Sequence, residues 1–525
     1  MFISNISKKL NWLNENKDLL KKICRGIERE TIRIKENGDL SNSVHPKNMG
    51  SALTHPIITT DFSENLLELI TPKCSDINQL FSVLEDIHCY VSQNIADEYM
   101  WPLSMPCLKE KKDHIQLAQY GNSNLGKIKT LYRKGLQTRY GLGMNLVSGI
   151  HYNFSIPKLF WKKWIGKKNN KEEKKIISNK YLHIIRNFYQ FGWIIPYFFG
   201  ASPAIYKNFL SNEKINFLLN TKNSKDIEYL PWATSLRLSK LGHSNNSIKN
   251  LHLTFNNLNE YLNSLKYGIN TSFKKFEQMN LFNQKGELQQ VNTNILQMEN
   301  ELYTYIRPKC SIKKNKPFIK SLKENGIEYI EIRAIDINPF SSIGINKTQI
   351  FFLDIFLCWC LLNKSPNLTN SELIELNKNW ERITLEGRKP NQKIKLLNSD
   401  KKVCFKKIAS VLFKDFKKIA KIFDSNFLNN PYQKSCNTLL KHLKNPNLTY
   451  SSKILDFILQ KGFKKTGVFL AKKHTARLKR RKLKFFDKNF FLREKIKSKK
   501  KQEKIENSDS ISFREYLNKK SNIKY

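Results

Sequence analysis

Gly326-Ile327-Glu328-Tyr329-Ile330-Glu331-Ile332-Arg333-Ala334-Ile335-Asp336 is a strand pattern that carries acids and an arginine at period two. Successive strand side chains point to opposite faces, so Glu331 and Arg333 share one face while Ile330 and Ile332 lie behind. A carboxylate can hold a hard divalent cation, and a guanidinium two residues on can grip phosphate through its planar fork. That pairing is the chemistry of handling ATP. Arg25-Gly26-Ile27-Glu28-Arg29-Glu30-Thr31-Ile32-Arg33-Ile34 repeats the theme, with Glu28 and Glu30 on one face and arginines on the other. Burying an unpaired charge is costly, so such a strand is either a solvated edge or has one face lining a polar cavity.

Familiar nucleotide loops are absent. No GxxxxGK[ST] occurs, and Gly141-Leu142-Gly143-Met144-Asn145-Leu146 lacks the third glycine of a dinucleotide fingerprint. A chain of this kind that uses ATP must hold the phosphates through carboxylate-ligated metal ions and arginines. The candidates are Glu28, Glu30, Asp61, Glu68, His151 and Glu331 for metal, and Arg133 and Arg333 for phosphate. Scattered acids are usually surface residues, and spacing alone leaves open whether these converge.

The elements that would position them alternate irregularly. The patterns predict a helix over residues 1–24, strands over 25–34 and 66–71, a helix over 75–98, a strand over 148–155 and a helix from Tyr181 to Pro196. Further helices are expected within 250–280 and 345–362. This order argues for an α+β fold with a largely antiparallel sheet rather than the βαβ rhythm of a doubly wound fold. Ile350 to Leu362 is apolar but broken by Asp354 and too short to span a bilayer, so it reads as a core helix. From about residue 470 the chain becomes a basic tail, helical in part and frayed toward its end.

At 525 residues and 40% apolar content, the chain can bury a large core. Its net charge of +46 would suit nucleic acid, yet lysine, asparagine and isoleucine are high from end to end, as A/T-rich coding would leave them. No specific nucleic-acid partner is expected. Nine cysteines without a CxxC pair point away from zinc and disulfides and toward a reducing cytoplasm. The first residues lack the apolar core of a signal peptide, and no membrane association is expected.

The chain carries, in order, Cys24-Arg25-Gly26-Ile27-Glu28-Arg29-Glu30-Thr31, Gly50-Ser51-Ala52-Leu53-Thr54-His55, Thr59-Thr60-Asp61-Phe62-Ser63-Glu64 and Leu117-Ala118-Gln119-Tyr120-Gly121. Thr130-Leu131-Tyr132-Arg133, Gly149-Ile150-His151-Tyr152-Asn153, Ala233-Thr234-Ser235-Leu236-Arg237 and Glu299-Asn300-Glu301-Leu302-Tyr303 continue the series. Together these motifs resemble the proteobacterial type of glutamate–cysteine ligase. The resemblance covers residues 1–470, implying a catalytic domain there and a basic tail, partly helical or disordered, over 471–525.

The resemblance implies a glutamine-synthetase-like catalytic domain, a cup-shaped, largely antiparallel sheet surrounded by helices. It implies a monomer that makes γ-glutamylcysteine from L-glutamate, L-cysteine and ATP, with magnesium, or manganese in its place. By motif position, Glu28, Glu30, Asp61, Glu68, His151 and Glu331 would be the metal ligands. Magnesium prefers oxygen, so His151 is alternatively a histidine hydrogen-bonded beside the site. Arg333 and Arg133 would stabilise the transferring phosphoryl group, Arg237 would bind a substrate carboxylate, and Tyr132, Phe62 and Tyr303 would shape the amino-acid pockets. Two positions depart from the family: His243 stands where it has a tyrosine that closes on cysteine, and Asn145 where it has glutamine. Altered cysteine affinity is the expected consequence. A third departure, Lys464-Lys465 in place of a glycine pair, would alter a local turn.

Overall fold

In a computed structural model, strands β1 (Cys24–Ile34), β2 (Ile58–Thr60), β3 (Leu66–Ile70), β4 (Tyr99–Met100), β5 (Gly149–Ser155), β6 (Ile306–Lys309) and β7 (Tyr329–Asp336) form one sheet. The structure describes residues 6–108, 115–209, 218–221, 224–242, 251–312, 316–397, 399 and 401–521. The strand order is β2-β3-β1-β5-β7-β6, with β4 paired to the end of β1, and every pairing is antiparallel. The α+β expectation therefore holds, on a sheet that does not close.

β1 is no solvated edge. It lies between β3 and β5, and its two charged faces are resolved differently. On the arginine face each guanidinium finds acceptors: Arg25 meets Asp354, Arg29 donates to the Ser342 carbonyl at 2.8 Å, and Arg33 meets Glu98 and the Ser43 carbonyl. The same side of the sheet packs Ile27, Leu67, Leu69, Ile150, Tyr152, Ile330 and Ile332 into the main core. The glutamate face lines the cup.

Helix α1 (Ile77–Asn94) packs behind β1 and β3; α2 (Asn124–Asn145) carries candidate side chains. Helices α3 (Asn170–Phe191) and α4 (Lys347–Leu362) pack together within the main core. Cys358 and Cys360 are buried on α4, as expected of core residues, and all nine cysteines are free thiols. The amino-terminal helix is shorter than expected, Ser7–Glu15 followed by a 3-10 turn over Lys17–Lys22. The helix expected from Tyr181 begins earlier, at Asn170, and ends at Phe191.

Most of the described part of the basic end is helical. Helix α5 (Phe463–Arg480) packs on α1, followed by α6 (Lys488–Glu506) and α7 (Phe513–Ser521). Fully buried Asp86 on α1 anchors the turn into α6, accepting from the Arg481 guanidinium and from the backbone N–H groups of Lys484, Phe485 and Phe486. Among the described residues, no helix is long and apolar enough to cross a membrane.

Candidate active site

Strand register brings the acids together. Glu30 stands directly opposite Glu68, and Glu28 opposite His151. Glu331 is flanked by Asn153 on β5 and Arg307 on β6. Between Ile332 and Ile335 the register of β7 slips by one residue against β5, a bulge spanning Arg333 and Ala334 of the kind that re-aims side chains beside sites.

His151 is the centre of the cluster. Its Nδ1 lies 3.2 Å from Glu28 Oε2 and 3.8 Å from Glu331 Oε1, while Nε2 lies 3.5 Å from Glu30 Oε1. Ligand atoms of Glu28, His151 and Glu331 all fall within 4.8 Å of one another. Asn153 Nδ2 donates to Glu28 Oε1 at 2.8 Å, and the Gly149 N–H donates to Glu30 Oε2 at 2.7 Å. Lys309 Nζ approaches Glu331 Oε1 at 3.7 Å, and Arg333 Nη1 approaches its Oε2 at 3.6 Å.

The electrostatics divide the acids. Burial would raise Glu331, but Lys309, Arg333 and His151 outweigh it and hold that group well below the usual range. Glu68 is raised well above that range, by burial and by the facing carboxylates of Glu28, Asp61 and Glu30. Glu30 is raised by burial, partly offset by His151. Glu331 Oε2 is buried and accepts no hydrogen bond. A carboxylate set crowded by its own charge, with one orphaned oxygen and one imidazole, fits a hard divalent cation.

At the rim, Arg133 on α2 donates from Nε to the Asp61 carbonyl, and its Nη2 lies 3.7 Å from Asp61 Oδ1. Its guanidinium lies over the Tyr120 ring, 4.5 Å from the centroid. Lys129, one turn earlier, is pushed down to about 8 by burial and by Arg133.

The remaining candidates lie around this cluster. Arg237 is buried within electrostatic reach of Glu30, but its Nε donates to Asp336 at 2.8 Å and its Nη2 to the carbonyls of Arg333 and Ile335. Two of its three nitrogens therefore brace the bulged strand. Phe62 and Tyr132 are buried in a second apolar cluster with Ile32 and Leu66. Tyr303 is half-buried, edge-on to Tyr140 with centroids 6.4 Å apart. Asn145 turns its amide back on α2, donating to the Gly141 carbonyl at 2.6 Å and the Leu136 carbonyl at 3.2 Å. His243 lies outside the described residues.

Sequence reasoning missed Asn153, Arg307 and Lys309. Arg307 and Lys309 show the same period-two signal as Glu331 and Arg333, but Pro308 between them argues against a strand. It also missed the fully buried Arg139–Glu301 pair, 2.9 Å long, which ties α2 to the segment carrying Tyr303.

Residues 10–383 match the glutamate–cysteine ligase family. Glutamate–cysteine ligase of Buchnera aphidicola subsp. Acyrthosiphon pisum (strain Tuc7) is 49% identical, over 99% of this chain and 100% of its own length. That of Erwinia tasmaniensis is 44% identical, over 99% of this chain and 100% of its own. A crystal structure of the Francisella tularensis glutamate–cysteine ligase in complex with AMP superposes with a TM-score of 0.88 at 31% identity, covering 95% of this chain and 98% of that one. A bifunctional glutathione synthetase from Pasteurella multocida shares the fold, with a TM-score of 0.71 at 22% identity over 89% of this chain and 55% of that one. Shared length, fold and sequence agree with the acid-lined cup: the chain belongs to the glutamate–cysteine ligase family, ATP-dependent ligases that form γ-glutamylcysteine in the first step of glutathione synthesis.

Proposed function

We propose that the cup binds L-glutamate, L-cysteine and ATP, with magnesium, or manganese in its place, held by Glu28, Glu30, Asp61, Glu68, His151 and Glu331. The observation that carries this reading is the convergence of Glu28, His151 and Glu331 ligand atoms within 4.8 Å, beside a Glu331 oxygen that accepts no hydrogen bond. When bound, such a metal neutralises phosphate oxygens and orients them for in-line transfer.

An oxygen of the glutamate γ-carboxylate attacks the γ-phosphorus of ATP, the bond to the bridging oxygen breaks, and ADP leaves. The neutral cysteine amine then attacks the acyl carbon of the γ-glutamyl phosphate, the C–O bond to phosphate breaks, inorganic phosphate departs, and the nitrogen gives up one proton to solvent or to the departing phosphate as the amide forms. Neither step needs a covalent nucleophile from the enzyme, so the protein's part is placement and charge. Arg333, aimed by the bulge, and Arg133, braced on the Asp61 carbonyl, supply positive charge for the transferring group. Arg237 holds a substrate carboxylate, and Tyr132, Phe62 and Tyr303 wall the amino-acid pockets. His243 and Asn145 tune cysteine affinity. The catalytic domain spans residues 1–470, with the basic helices of 471–525 laid across it, and the enzyme acts as a cytoplasmic monomer without a specific nucleic-acid partner.

ADP release with magnesium and glutamate, with and without L-cysteine, tests the reading. Cysteine-dependent turnover abolished by Glu331→Gln is the expected result. Equal turnover with 2-aminobutyrate would reassign the acceptor, and no turnover with any amine would reject it.

A further inference from the structure

We propose that α6 is a working part of the active site, in which Gln502 and Glu506 are positioning residues for the two loops that lead to Asp61 and Arg133. The inference rests on the placement of Asp61 and Arg133 in the ATP site given under Proposed function.

The lysines that make the tail look like a solvated charge run, Lys497, Lys499, Lys500, Lys501 and Lys504, are all exposed. Ser498, Gln502 and Glu506 follow at four-residue spacing and share the opposite face. That face is hydrogen-bonded to two loops of the body. Ser498 Oγ accepts from the Ser51 N–H at 3.1 Å, and the Ser498 carbonyl accepts from the Thr54 hydroxyl. Gln502 Oε1 accepts from the Ser51 hydroxyl at 2.5 Å. Glu506 Oε1 accepts from the Asn122 N–H at 2.8 Å and from Gln502 Nε2 at 3.0 Å. Beyond the helix, Asp509 Oδ2 takes the Asn124 N–H at 2.5 Å, and Leu517 is fully buried in the apolar cluster that contains Ile128 and Tyr132.

An independent observation fixes the seat. Gly50 and Gly121, one in each loop, both have φ of +84°, and a Cβ at either would run into the helix. At Gly50 it would lie 2.4 Å from Ser498 Oγ, and at Gly121 2.1 Å from Gln502 Nε2. Both glycines serve a left-handed turn and the close approach of α6.

The loops continue directly into the site. From Thr54 the chain runs into β2 and Asp61, and from Asn124 it runs into α2, which carries Lys129, Tyr132 and Arg133. Arg133 and Asp61 meet at 3.7 Å, and α6 holds both segments from outside while Tyr120 ties them directly through the Thr60 and Asp61 carbonyls. Small displacements of such groups cost rate steeply.

The test uses the full-length Gln502→Ala/Glu506→Ala variant beside wild type, a Glu503→Ala control on the exposed face, and Glu506→Gln. Hydrogen exchange is followed over residues 50–54, 121–124 and 495–506, and kcat and KM for ATP are measured well below the melting transition. In the double variant, exchange in all three segments rises about tenfold and kcat/KM for ATP falls about tenfold. Glu503→Ala behaves as wild type, and Glu506→Gln, whose amide oxygen can still accept from Asn122, retains wild-type values. Unchanged exchange overturns the proposal, as does faster exchange with kcat/KM within about twofold of wild type. Wild-type protein without cysteine-dependent turnover would instead defeat the ligase reading, while the exchange data still report on the seat.

Discussion

Glu30 of β1 and Glu68 of β3 stand directly opposite one another, two carboxyl groups side by side in the sheet. Like charges so placed repel by roughly 0.2–1 kcal/mol, more where water is excluded. In Glu68→Gln that repulsion is absent, and the metal-free protein is expected to melt about 1 °C higher than wild type while losing ATP turnover. Calorimetry in chelator, paired with the ADP assay, checks both halves.

Divalent cation should stabilise the wild-type fold. Saturation at about 100 times the dissociation constant adds about 2.7 kcal/mol, read as a rise in denaturation midpoint on titrating Mg2+. Glu331→Gln removes a ligand beside the orphaned oxygen, and most of that rise should vanish. A full rise in the variant would place the cation elsewhere.

Asp354 is the counter-charge for the far side of β1. It receives Arg25 Nη2 at 2.6 Å, the Tyr152 hydroxyl at 2.6 Å and the Tyr432 hydroxyl at 3.0 Å, all buried. Asp354→Ala strands Arg25 and should cost about 3–5 kcal/mol in urea denaturation. Asp354→Asn should cost less, since one oxygen still accepts.

Burial keeps several histidines neutral: His55, His183, His442 and His474 are pushed down to about 4, and His45 to about 3. The unfolded chain protonates these rings near about 6.5, so between there and about 4 the unfolded state binds more protons. Their contribution is whole above that window and is lost as pH falls through it. The melting midpoint should therefore drop from pH 7 to pH 5, with a shallower slope in His183→Gln and His474→Gln proteins.

Local pattern exposed the site strands because period-two alternation is a short-range signal: Glu28 with Glu30, and Glu331 with Arg333, announced their shared face. The partner of Arg25 could not be read the same way. Asp354 lies 329 residues away and looked like a flaw in an apolar run, when it is the reason that run can lie under a charged strand. β6 was hidden by Pro308, which an end strand tolerates. The role of the tail was hidden for a different reason. Its lysines dominate its composition, while the contacts of α6 with the two loops rest on Ser498, Gln502 and Glu506, whose meaning depends on glycines far away in sequence.

The seat of α6 on Gly50 and Gly121 also orders events during synthesis. Glu28 leaves the ribosome long before Gln502 through Ile511, which hydrogen-bond the loops above Asp61 and Arg133. A chain that stopped before Gln502 would hold its acids in strand register but lack these supports for the loops that lead to Asp61 and Arg133.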